Sequence, residues 1–129
     1  MSLFLKEESF CEYLQHTYPD KTFALGHAVI SVNVVHFTPI MSCVYLTEEF
    51  IAAAKYNRQL QIFTDHVLFE KKQIKEISYT KKGLSGILTV QTTEKLADNH
   101  YATLRLTLSD VSGTAWHKKN LQQIKQRYQ

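Results

Sequence analysis

The sequence predicts an α+β, mainly β fold, a small antiparallel barrel of about six or seven strands with one helix at each end. Three observations lead there. Apolar and polar residues alternate with period two through much of 22–108, between clusters of turn-forming residues. A period near four appears only at about 6–18 and about 112–128. No internal repeat, low-complexity tract or linker divides the 129 residues, so the whole chain, 1–129, reads as one domain.

The first helix is read from Phe10, Leu14 and Tyr18, which recur at steps of four with Tyr13 beside them, until Pro19-Asp20 stops the run. In the following FALGHAVISVNVVHF, Ala28, Ile30, Val32 and Val34 alternate with Val29, Ser31 and Asn33. Gly26 marks a bend before that strand, and Thr38-Pro39 interrupts after it, because proline donates nothing to a ladder. MSCVYLTEEFIAAAKY puts Val44 and Leu46 on one face and Phe50, Ala52 and Ala54 on another, around a polar Thr47-Glu48-Glu49 hinge. Alanine and glutamate favour a helix over EEFIAAAKYNRQLQ, but the alternation makes a hairpin the preferred reading.

Asn57-Arg58-Gln59 reads as a loop, Thr64-Asp65-His66 as a turn, and TTEKLADNH as a further loop. Val67 and Phe69 share a face, followed by Ile74, Ile77 and Tyr79. GILTVQTT alternates again. In YATLRLTLS, Ala102, Leu104, Leu106 and Leu108 point in, and Tyr101, Thr103, Arg105 and Thr107 point out. The last helix, capped by Asp110 or Ser112, has Trp116, Leu121, Ile124 and Tyr128 on its apolar side and Lys118, Lys119, Lys125 and Arg127 on its wet side. Such a helix covers an open barrel end.

The pattern resembles a bacterial pleckstrin-homology-like domain over about residues 22–128. The resemblance rests on VYLTEEFIAA, on IKEISYTKKGLSGILTVQT with its basic glycine turn, and on a final helix carrying the single Trp116 early. It implies a fold that hosts phosphoinositide binders, peptide binders, scaffolds and oligomerising modules. The lysines and arginines that inositol-phosphate binders carry between their first two strands have no counterpart in HFTPIMS, which speaks against that mode of binding.

Composition narrows function further. The net charge is +3, with 44% hydrophobic and 21% charged residues, so neither disorder nor a nucleic-acid partner is expected. Cys11 and Cys43 without a signal peptide fit a reducing, cytoplasmic setting in which both are free thiols. Six histidines lack metal-ligand spacing, so no metal and no cofactor is expected. Cys11 and His16 lie about 140° apart around a helix, which does not make a catalytic pair, and Glu48-Glu49 and Asp65-His66 lack a third partner. No catalytic residue is assigned.

Two candidate surfaces remain. Lys81 and Lys82, with Lys75, form a basic turn, with Lys71 and Lys72 nearby. That turn either meets an anionic membrane surface or only keeps a sheet edge soluble. Gly83 and Gly86 give it room for positive φ, but no phosphate-cradling glycine spacing is present. Val29, Val35 and Tyr101 lie off the inward pattern and are candidates for an interface. The preferred function is non-enzymatic protein interaction or self-assembly, with a protein partner or a homo-oligomer. Lipid binding through the basic turn, or a small ligand in a barrel pocket, stands as the alternative.

Overall fold

The structure, a computed structural model, describes residues 6–35, 38–57, 59–83, 85–95, 101–109 and 115–128. Helix α1 (Glu7–Thr17) precedes seven strands: β1 (Ala28–Val35), β2 (Thr38–Leu46), β3 (Phe50–Asn57), β4 (Ile62–Glu70), β5 (Ile74–Lys82), β6 (Ser85–Lys95) and β7 (Tyr101–Ser109). Helix α2 (Ala115–Tyr128) follows, and a 3₁₀ turn, Lys71–Gln73, joins β4 to β5. All pairing is antiparallel, in a four-stranded sheet ordered β1-β2-β3-β4 and a three-stranded sheet ordered β5-β6-β7. No described helix is long and apolar enough to cross a membrane.

Alternation in the larger sheet serves two cores rather than one core and solvent. Val29, Val44, Leu46 and Ile51 face the smaller sheet, meeting Tyr79, Leu88, Val90, Leu106 and Leu108 beneath Leu121 and Ile124 of α2. Ala28, Cys43, Tyr45, Phe50, Ala52 and Ala54 face the opposite way, against Phe10, Cys11 and Leu14 of α1. Burying both faces explains why helix-prone alanines form a strand. Ala52 and Ala54 are buried in one cluster with Phe10, Cys11 and Leu14 of α1, and tertiary packing overrides propensity. The hinge is a tight turn in which Thr47 Oγ1 accepts from the N–H groups of Glu49 and Phe50, both at 3.2 Å.

Three local expectations need correction. Thr64-Asp65-His66 is not a turn but a bulge inside β4, where Asp65 and His66 stand opposite Ala54, between the pairs Lys55↔Thr64 and Ala53↔Val67. Asp65 takes φ 52°, a left-handed conformation that aspartate tolerates better than most residues. Thr92–Lys95 continues β6 rather than opening a loop, and residues 96–100 lie outside the described part. HFTPIMS is mostly strand, since β2 begins at Thr38, and the capping residues Asp110 and Ser112 lie outside the described residues.

The two turn glycines have different reasons. Gly83 does take φ 59°. Gly86 sits in β6 with ordinary strand geometry, and its need is space, because a Cβ there would run into the ring and hydroxyl of Tyr79. Tyr79 is buried in the core, so the ring cannot step aside cheaply. Gly86→Ala is therefore expected to cost about 1–3 kcal/mol of stability by overpacking. Urea unfolding of the two proteins checks this, and an unchanged midpoint would show that the ring moves freely.

Candidate functional site

The cations do not gather where the sequence suggested. Lys75 and Lys81 are six residues apart on β5, about 20 Å at strand rise, so they mark opposite ends of one strand. Lys75 lies at a register shift in the β5–β6 ladder and lines a shallow 380 Å³ groove with Thr47, Glu48, Ile74, Ile77 and Tyr128. Lys81 meets α2 instead. Partial desolvation and the adjacent Lys125 both lower its proton affinity. Lys82 lies beside the turn, but its side chain is outside what the structure describes.

α2 adds to the charge near Lys81. It carries Lys118, Lys119, Lys125 and Arg127 and no carboxylate, and its exposed positions also include Gln122, Gln123 and Gln126. A second open groove of 680 Å³, around Asp20, Lys21, Glu49, Glu70, Lys71 and Lys72, mixes both signs. Lys21 Nζ donates to Glu70 Oε1 at 2.5 Å, which holds the Glu70 carboxyl below its usual range. Neither groove is enclosed by apolar residues as small-ligand pockets commonly are.

Of the interface candidates, Val29 needs correction. It is fully buried, opposite Val44 in the core between the sheets, because β1 is covered on both faces. Val35 and Tyr101 stand in β1 and β7, but their side chains lie outside the described part. Exposed large apolar side chains include Leu25, before β1, and Val32 of β1, but the others lie at the far edge of the larger sheet. Ile62 and Val67 of β4 are 46% and 41% exposed, with Leu60 at 67% in the preceding turn. β4 ends the strand order, so its outer N–H and C=O groups meet no strand among the described residues.

The opposite edge, β1, is treated in another way. Glu7 Oε2 accepts from the N–H groups of Gly26 (2.8 Å) and Ala28 (3.2 Å) and from Asn120 Nδ2 (2.9 Å). Asn120 Nδ2 also donates to the Ala28 carbonyl at 2.7 Å, and the Ile30 N–H donates to His117 Nδ1 at 2.9 Å. Glu7, His117 and Asn120 are all buried, so two helices supply by side chain the partners a neighbouring strand would give by backbone.

Burial keeps both thiols protonated at neutral pH. Burial, then Glu7 and Glu8, pushes Cys11 up to about 11, and burial pushes Cys43 higher still. Among the described residues no three His, Cys, Asp or Glu side chains gather as a metal site would require. Trp116 is half-buried against the α1-side core.

Sequence reading passed over Glu7, His117 and Asn120, although a signal was present. Glu7 lies on the stripe of Phe10 and Leu14, and His117 and Asn120 on that of Leu121 and Ile124. A polar residue on an apolar stripe must find a buried partner. Removing the Glu7 carboxylate strands three N–H donors, so Glu7→Ala is expected to cost about 3 kcal/mol or more, against less than about 1 for exposed Glu8→Ala. Equal losses in thermal unfolding would deny Glu7 this role. No family model, curated protein or solved structure matches the chain.

Proposed function

We propose that the chain is a non-enzymatic self-assembly module whose copies meet along the outer edge of β4. Its two sheets are read as a pleckstrin-homology-like barrel left open both between β4 and β5 and between β7 and β1. The observation that carries this reading is an edge strand with no strand neighbour among the described residues that exposes Ile62 and Val67, while the start of the other large-sheet edge is covered by helix side chains. An extended segment added there gains ladder hydrogen bonds, and the two apolar side chains give it a packing surface.

Light scattering across a wide concentration range tests the reading. A defined oligomer is expected, weakened about tenfold or more by Val67→Lys, because a charge on an edge strand opposes pairing. Val32→Lys, at a similarly exposed valine on β1, is expected to leave assembly unchanged. A strict monomer at every concentration, or equal sensitivity at both valines, overturns the β4 assignment.

Lys81 beside Lys125 favours a second reading, adsorption to anionic lipid through the carboxylate-free face of α2. Flotation with anionic vesicles at low salt is then expected to retain the chain, and neutral vesicles to release it. No retention at low salt would remove this alternative.

A further inference from the structure

We infer that His117 is a proton-sensitive latch, closing α2 over the edge of β1 at neutral pH and releasing it on acidification. This inference is independent of what β4 binds.

The geometry fixes the chemical state of the ring. A backbone N–H always donates, so the 2.9 Å contact from Ile30 requires a lone pair on Nδ1. The imidazole in this position is therefore neutral, with its proton on Nε2. Adding a proton at Nδ1 sets two N–H groups against each other and places a cation in a site only 1% exposed to solvent. The contact then cannot persist in the closed arrangement.

Three elements meet at the cluster. β1 faces it with backbone groups. α1 contributes Glu7, whose Oε2 already accepts from Gly26, Ala28 and Asn120. α2 itself supplies Asn120, which is held between Glu7 and Ala28, and the Trp116 ring set edge-on at 6.5 Å. Lys118 and Lys119, next along the helix, are exposed cations that further disfavour a positive ring.

The direction with pH follows. The Ile30 bond exists only with the neutral ring, so the latch contributes fully above the ordinary imidazole range near pH 6.5 and is lost as pH falls through and below it. Opening strips partners from the Ile30 N–H and, as the helix lifts, from the Ala28 carbonyl. Ala28 N–H stays held by Glu7, so release is confined to the α2 side of the edge.

Amide exchange on the full-length chain, followed by NMR at about pH 7.5 and about pH 5.5, tests the latch across the histidine range. After correction for intrinsic rates, the Ile30 amide is expected to exchange about tenfold faster on the acid side, one decade per pH unit below the titration. Val44, central in the same sheet, serves as the unchanged reference. In His117→Asn the amide oxygen takes the place of Nδ1 without titrating, and the acceleration should vanish. No acceleration in the parent chain, or the same acceleration in His117→Asn, overturns the proposal. If that variant does not fold, the ring ¹⁵N shifts of the parent decide. A neutral Nε2–H form titrating together with the Ile30 amide supports the latch, and a proton on Nδ1 at neutral pH sinks it.

Discussion

A buried strand edge must be answered group by group, and the rest of this structure is arranged around the answer given to β1. Each unpartnered N–H or C=O out of reach of water costs about 1–3 kcal/mol, so a hidden edge is tolerable only when every group finds a partner. Here the partners come from opposite ends of the chain. Glu7 at the start of α1 and Asn120 and His117 early in α2 converge on Gly26, Ala28 and Ile30. The position of each helix on the larger sheet follows from that convergence as much as from its apolar stripe.

The two faces of the larger sheet are both occupied as a result. α1 carries one core and the smaller sheet with α2 the other, so the central strands have no face left for a partner. What remains accessible is the margin: β4, the lysine end of β5, and the outer side of α2. β4 is not a bare edge, since its bulge carries the Lys55–Asp65 ion pair at 3.5 Å and adds local twist. A margin that is partly blunted by a bulge and a charge pair stacks less readily than a long bare edge.

Much of this was legible in the sequence. Alternation located the strands, and the contrast between Val44 with Leu46 and Phe50 with Ala52 and Ala54 separated the two cores correctly. The same two-sidedness misled the reading of Val29, because a strand covered on both faces has no outside. Thr64-Asp65-His66 has turn composition, and only its opposition to Ala54 reveals a bulge. Gly86 resembles its neighbour Gly83 in sequence, yet its reason lies in a tyrosine seven residues earlier on the paired strand. The cations defeated prediction for a simpler reason. Spacing along β5 separates Lys75 from Lys81, whereas the fold sets Lys125, forty-four residues away, beside Lys81.

The bond from Asn120 to Glu7 spans 113 residues, and that from Ile30 to His117 spans 87. Time enters through those separations. At about 5–20 residues per second, a ribosome needs roughly 4–18 seconds to make the stretch between β1 and the residues that shield it. During that interval the larger sheet can already pair and bury Val44 or Ala52, with Glu7 in reach, while the α2 side of β1 stands uncovered. The nascent chain thus passes through a stage with an adhesive edge at each end of one sheet, and the final helix closes one of them.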